Sequence, residues 1–402
     1  MTPLEGTTVV DFTHGVAGPY ATLILADLGC DVIKIEKPRR GDPTRYMNVS
    51  SKFASDIPAS GGDYFMAINR NKRSVALDLK DDRARAIARD LAVQSDVVVQ
   101  SFRPGVMERL GLGEDDLRLD NPSLIYGSLS AYGDRGPLAH QPGMDVAVQA
   151  RSGVMSITGP VGGNEPLKPG VSLADFAGGT HLALGIVAAL HRRAVSGKGD
   201  SVRMSLLDST MAMLINYSVA VLDGEAELGP MGSGHPQLAP FEAVSTSDGF
   251  LVLAPGTNRL FRELCEVLGR KDLADDERFS SNERRVRHRP ELLAELEASF
   301  TQRTTAEWLE ILERQQIPCA PVNSMAEAYG SEQLRANDMI KRIQHPTLGQ
   351  VSQLASPYHF GDGDLPIRMP PPLLGQHTDE VLSELLSMTP KQLSELRDDG
   401  AI

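Results

Sequence analysis

A chain of 402 residues exceeds one ordinary hydrophobic core and implies two domains. Its 41% hydrophobic and 23% charged residues describe a soluble globular protein, and a net charge of −13 argues against general binding to nucleic acid or acidic membrane while leaving room for a local basic site. Three cysteines, Cys30, Cys265 and Cys319, lack metal-ligand spacing, so no metal is expected and they read as reduced residues in a reducing compartment. No apolar run approaches membrane-spanning length, and residues 1–6 lead straight into a strand without a signal peptide, so the expected location is cytoplasmic.

Residues 7–12 form a β-rich run, followed by a Gly/Pro turn at 14–19. Helical periodicity over 20–28 stops at Gly29, and 31–36 alternates as a second strand. Strand 74–79, helix 82–93, strand 96–102 and strand 123–130 repeat the pattern, which is that of a parallel, doubly wound α/β sheet. The first turn reads T-H-G-V-A-G-P and lacks the glycine fingerprint of a dinucleotide site. Glu36 stands where an NAD enzyme would hold ribose, but K-P-R-R follows it and suits phosphate better. The stretch 34–45 carries Lys34, Lys37, Arg39, Arg40 and Arg45 against Glu36 and Asp42, a basic island in an acidic chain.

Residues 222–230, D-G-E-A-E-L-G-P at their core, read as a linker. Two short strands around the turn 247–249 and helices at 260–268, 290–299 and 305–315 then make a smaller α+β domain. The expected division is 1–221, 222–320 and a return to the first domain over 321–402, with helices at 378–386 and from Pro390 onward.

Residues 170–199 hold one carboxylate, Asp175, at the mouth of an apolar helix made thin by Ala177, Gly178, Gly179, Ala183 and Gly185. Such a helix admits another backbone or a ligand. By residue type alone Asp175 is an N-cap, whose oxygen accepts the free N–H groups of the first turn; the other use of an acid there is as a nucleophile.

The segment L-A-D-F-A-G-G, its helix and S-G-K-G resemble the catalytic aspartate segment of class III coenzyme A transferases. P-L-E-G (3–6), V-D-F-T-H-G-V-A-G-P (10–19), L-G-C-D-V-I-K-I-E (28–36) and N-R-N-K-R-S-V-A-L-D-L-K (69–80) extend the resemblance. So do F-R-P-G-V-M-E-R-L-G (102–111), I-P-C-A-P-V (317–322) and P-P-P-L-L-G-Q-H-T (370–378), so that it covers nearly the whole chain in order. The resemblance implies an α/β fold with a Rossmann-like large domain built from both chain ends, a small inserted domain and an interlocked homodimer. It implies coenzyme A as co-substrate, with acyl-CoA and a small carboxylic acid as partners, and Asp175 as the nucleophile passing through anhydride and aspartyl-CoA intermediates. The helix N-terminus is expected to favour ionised Asp175, and its N–H groups to serve developing oxyanions.

By family position His14, Val16, Ala17, Lys37, Leu77, Ser101, Phe102 and Arg109 would line the CoA site, with Arg40 from the basic stretch and Lys72, Arg73 and Arg103 candidates by charge. M-G-S-G-H-P, containing Gly232, Ser233 and Gly234, is the nearest match to the family's glycine-rich lid, an ordinary turn being the other reading. Val16 replaces the glutamine of oxalate- and formate-using members, and Ser101 a frequent asparagine. Met144 stands where transferases often carry tyrosine and racemases of the superfamily a proton-carrying histidine. Racemase activity on 2-methylacyl-CoA is therefore the second reading, and a non-catalytic CoA-binding protein the third. Similarity to the succinate–hydroxymethylglutarate branch, with K-P-G-V at 168–171, points to succinyl-CoA and a diacid larger than oxalate. Lys52, in the loop 51–64, and Arg70 are candidates to pair its second carboxylate, and His140 and His181 match no family position.

Overall fold

The computed structural model describes residues 2–50, 61–361 and 363–402. The chain divides into two compact units, the first comprising Met1–Val154, Lys168–Glu225 and Arg335–Ile402, the second Met155–Leu167 and Ala226–Leu334.

The first unit is built on six parallel strands: β1 (Thr8–Asp11), β2 (Asp31–Glu36), β3 (Lys72–Ala76), β4 (Val97–Gln100), β5 (Ile125–Ser130) and β6 (Asp200–Ser205). Their order is β3-β2-β1-β4-β5-β6, so the winding reverses beside β1. Val9 lies opposite both Val32 of β2 and Val97 of β4. Alternate residues face opposite sides. Val10, Ile33, Val75 and Val98 join one apolar cluster, and Val9, Val32, Val97 and Val99 join another.

The helices that matter for the site are α1 (Ala17–Asp27), α2 (Asp82–Gln94), α3 (Asp145–Arg151), α4 (Leu173–Ser196), α5 (Leu206–Met213) and α6 (Ile215–Leu222). By length and composition α4 is apolar enough to cross a membrane, which corrects the expectation that no run approaches that length. Half of its apolar 18-residue stretch is buried, and Leu182, Ile186 and Leu190 recur at four-residue steps on its inner face. Each such side chain contributes roughly 2 kcal/mol on burial.

Helix α1 begins three residues before the expected start. Pro19 fits a first helical turn, where its missing N–H has no partner to lose, and Gly18 is needed because a Cβ there would lie 2.4 Å from that of Thr13. Strand β3 begins at Lys72, two residues early, because Lys72 and Arg73 are buried in ion pairs and not solvated. The polar strand β6 escaped the periodicity altogether.

The second unit has a three-stranded antiparallel sheet, β7 (Glu242–Ser245), β8 (Phe250–Leu253) and β9 (Cys319–Pro321), with β8 central. Helices α7 (Asn258–Val267), α8 (Arg289–Phe300) and α9 (Thr305–Arg314) bury Phe261, Leu264, Leu292, Leu296, Phe300, Trp308 and Leu312 against it. The expected boundary at 320/321 would cut β9, and the chain rejoins the first unit only at Arg335. Residues 155–167 also join the second unit, where the Gly232 N–H donates to the Gly159 carbonyl at 2.8 Å. The first unit then adds an antiparallel hairpin of β10 (Ile340–His345) and β11 (Gly349–Leu354), and finally α10 (Thr378–Leu386) and α11 (Pro390–Asp398).

Candidate active site

Asp175 is the third residue of α4, and Ser172 holds the N-cap position without a side-chain bond. Capping therefore does not explain Asp175. The N–H groups of the first turn all have other acceptors: Leu173 donates to Val171 O at 2.9 Å and Phe176 to Ser172 O at 3.0 Å. Those of Ala174 and Asp175 donate to Asp145 Oδ1 at 2.9 and 3.3 Å. Asp145 opens α3, and its Oδ2 accepts from Gln149 Nε2 at 2.6 Å. This corrects the expectation that those N–H groups stabilise the Asp175 anion or a developing oxyanion, since Asp145 occupies them.

The Asp175 carboxylate is half-buried and accepts no hydrogen bond among the described residues. Burial first, and then the neighbouring Asp145 charge, push its pKa up to about 7. The expected helix-dipole stabilisation is outweighed.

The thin helix admits protein backbone at Gly179 and neighbouring side chains at Gly178 and Gly185. A Cβ on Gly179 would lie 2.5 Å from Ala17 O, one on Gly178 2.6 Å from Leu206 and one on Gly185 2.6 Å from Val202. Tyr20 meets Phe176 edge-on, with ring centroids 4.9 Å apart. The first turn of α1 thus packs against the first two turns of α4.

Buried charge fixes that loop. Lys34 Nζ donates to Thr13 O at 2.8 Å and pairs with Asp42 at 2.9 Å. Asp42 Oδ1 accepts from the N–H groups of Gly15 at 3.3 Å and Thr44 at 2.9 Å. Against burial, which raises it, the Lys34 ammonium and these bonds hold the Asp42 carboxyl down at about 2. Asp11 Oδ1 accepts from the Thr13 N–H and hydroxyl, and Lys72 lies 3.5 Å from Asp11 Oδ2. Burial pulls Lys72 down to about 7, with Asp11 opposing.

A cleft of about 420 Å³ opens at the carboxyl ends of β1, β2 and β3. His14, Lys37, Leu77 and Phe102 line it together with Lys34, Asp42 and Lys80. The His14 ring stacks at a tilt on Phe102, 5.2 Å between centroids, and the His14 backbone N–H donates to Ser101 Oγ at 3.2 Å.

Other expected residues lie elsewhere. Val16 is the N-cap of α1 and Ala17 its buried first residue. Arg40, Arg103 and Arg109 are exposed and do not line the cleft. Lys34 and Arg45, part of the basic stretch, are buried, Arg45 forking onto Glu36 at 2.7 and 2.8 Å. Lys72 is likewise internal, and Arg73 pairs with Asp31, Glu380 and Glu384, so neither is a free cation for phosphate. Arg70 is buried against Asp27, which corrects its candidacy for a substrate carboxylate. Lys52 lies outside the described residues.

Met144 directly precedes Asp145 and is 77% exposed. His140 is exposed, and His181 is half-buried in α4, more than a turn beyond Asp175. Gly232, Ser233 and Gly234 belong to the second unit, where Ser233 Oγ accepts from Ala243 N–H at 2.9 Å. The sequence reading missed Asp145, Asp42 and Lys80. Only Asp145 carried a signal, since G-M-D sets an acid beside position 144.

A family model described as CoA-transferase family III matches residues 4–378. The succinyl-CoA:glutarate CoA-transferase of Mus musculus is 37% identical over 402 residues, 100% of this chain and 91% of that one. The acetyl-CoA:oxalate CoA-transferase of Acetobacter aceti is 38% identical over 338 residues, 84% of this chain and 85% of that one. Among solved structures, a CAIB/BAIF family protein from Brucella suis matches with a TM-score of 0.85 at 35% identity, covering 96% of this chain and 99% of its own.

Proposed function

The chain belongs to CoA-transferase family III and is an enzyme of that class, and from that premise we propose that it moves CoA from succinyl-CoA to a dicarboxylic acid of about four to six carbons, glutarate first, with Asp175 as nucleophile. The observation that carries the role of Asp175 is its half-buried carboxylate, left without a hydrogen-bond donor among the described residues at a helix start whose N–H groups are already occupied.

Asp175 attacks the succinyl thioester, expels CoA thiolate and forms a mixed anhydride. The thiolate attacks the aspartyl carbonyl, releases succinate and leaves an aspartyl-CoA thioester. The acceptor carboxylate displaces the thiolate to give a second anhydride. Thiolate attack on its acceptor carbonyl then frees Asp175 and yields the new acyl-CoA. Each step exchanges one acyl bond for another, so every atom returns.

The cleft at β1–β3 suits CoA: Lys37 and Lys80 are exposed cations for phosphate, and His14, Leu77 and Phe102 offer flat apolar walls for adenine. Val16, lacking the amide of oxalate-using members, supports a larger acid. The Gly232–Gly234 loop is the lid in this reading. The assembly is an interlocked homodimer, a reading supported by α6, where Ile215, Val219 and Leu222 are each at least 70% exposed. Met144 offers no proton carrier for racemisation.

The test is a matrix of acyl-CoA donors against carboxylic acids, read by mass spectrometry, with hydroxylamine trapping of the enzyme acylated by donor alone. We expect C4–C6 diacids to lead and the trapped peptide to carry Asp175. Formyl-CoA with oxalate outrunning every diacid would remove the substrate assignment, and full turnover by Asp175→Ala would remove the nucleophile.

A further inference from the structure

Asp145, from α3, and Asp175, from α4, are two acids at the start of α4, and among the described residues only the Asp145 carboxylate accepts hydrogen bonds. Asp145 Oδ1 accepts from the N–H groups of Ala174 and Asp175, and Oδ2 accepts from Gln149, whose amide nitrogen also lies 3.4 Å from Val171 O. Gln149 is fully buried, and its Oε1 has no partner. Three N–H donors converge on the two oxygens of Asp145. Asp175 therefore faces a neighbouring negative charge where it would ordinarily find the positive end of a helix.

Resting on the assignment of Asp175 as nucleophile, we propose that Asp145, oriented by Gln149, is a positioning residue that withholds the α4 N-terminus from Asp175 and keeps this carboxylate strongly basic and nucleophilic. A carboxylate stabilised by helix N–H groups would be a weaker base and a poorer nucleophile toward a thioester. The raised pKa of Asp175 agrees with this geometry.

The other charged or titratable groups on the elements packed against α4 are engaged elsewhere. On α1, Tyr20 stacks on Phe176 and Asp27 pairs with Arg70. On α3, Arg151 lies over the Tyr132 ring. On β5 the Tyr126 hydroxyl donates to Leu112 O, and on β6 Asp200 pairs with Arg192 and Arg203 with Glu114. Asp208 of α5 lines a different cleft.

The test is Asp145→Asn, which keeps a capping oxygen and removes the charge. The acid limb of kcat/KM for the acyl-CoA donor is expected near pH 7 in the wild type and at least one pH unit lower in the variant. At pH 5.5, each enzyme relative to its own plateau, the variant then retains about tenfold more activity. Asp145→Glu is expected to keep the wild-type limb. The Asp175 titration, read as the difference carboxyl spectrum between each enzyme and its Asp175→Asn partner, moves with the limb and needs no turnover. If that titration shifts while activity ignores it, the nucleophile assignment fails and the positioning role stands. An unchanged titration in Asp145→Asn, or an Asp145→Glu limb that moves with it, overturns the proposal. Asp145→Thr, also a neutral cap, gives the same reading if the asparagine variant does not fold.

Discussion

The two halves of the parallel sheet each end in a cleft, and the two clefts differ in charge: one is lined by cations and acids in equal number, the other mostly by acids. The one beyond β1–β3, about 420 Å³, is lined by Lys34, Lys37 and Lys80 against Glu36, Asp42 and Asp78. Lys34 pairs with Asp42 and Glu36 with Arg45, which leaves the exposed Lys37 and Lys80 against the half-buried Asp78, a small positive excess. The one beyond β4–β6, about 340 Å³, is lined by Glu108, Glu114, Asp115, Asp116, Asp134 and Asp208, with Arg203 as its lining cation. Arg203 is held by Glu114 at 2.9 Å. Parallel-sheet topology supplies a crevice at each set of strand ends, so topology does not choose where a polyanion binds. Charge does, and the acidity of the chain gathers around the second cleft.

The comparison breaks first where the basic cleft is built. Lys34→Met leaves Asp42 buried without its cation and releases Thr13 O. We expect a loss of about 3–5 kcal/mol in urea unfolding, because an orphaned buried charge costs more than the pair contributes. Pairing the change with Asp42→Leu is expected to recover part of that loss in a double-mutant cycle. A Lys34→Met enzyme as stable as wild type would show that the loop before α1 is held by other contacts.

Much of this was legible in the sequence, for local reasons. The strand expected at 96–102 is present as Val97–Gln100, and 31–36 and 378–386 fall where periodicity set them. Asp175 was singled out by its motif. The fate of the cations was not legible. Lys34, Glu36, Asp42 and Arg45 resemble a solvated basic stretch with stray acids, yet they cross-pair as two buried bridges once β2 is covered on both faces. Lys72 and Arg73 are paired with Asp11 and Asp31 from other strands, partners no local window contains. Asp145 and the α4 N–H groups are about 30 residues apart in sequence, and placing two acids together contradicts the usual expectation for charge.

Two carboxylates of the first unit sharpen the comparison between charge that is satisfied and charge that is not. Asp42, held down at about 2, stabilises the fold above its unfolded pKa, and that contribution is lost as pH falls through 2. Asp175 has the opposite sign. Raised from 3.8 to about 7, it favours the folded state only while protonated, so its contribution is full below pH 4 and lost as pH rises through 7. Asp175→Asn, permanently neutral, is expected to be more stable than wild type by about 2 kcal/mol at pH 8, a figure discounted for the partial exposure of the group, and equal to it at pH 4. Urea titrations at the two pH values decide this, and an equal difference at both would mean that Asp175 is not destabilised by its surroundings.

The smallest effect separates the clefts directly. If CoA phosphates sit at the β1–β3 ends, Lys80→Ala removes one exposed cation from the cleft wall and nothing from the core. A charge-assisted contact at that exposure is worth about 1 kcal/mol, so CoA binding by calorimetry should weaken about fivefold. The difference should shrink as salt is raised, since the contact is open to screening. Arg203→Ala is the matching change in the other cleft. Its side chain is already engaged by carboxylates, and the five acids around Glu114 would repel a diphosphate whether or not Arg203 is present. CoA affinity should therefore stay within about twofold. The reverse pattern, with Arg203 costing more than Lys80, would assign the polyanion to the acidic cleft and show that the field of the whole unit, and not the cations lining one wall, governs where CoA docks.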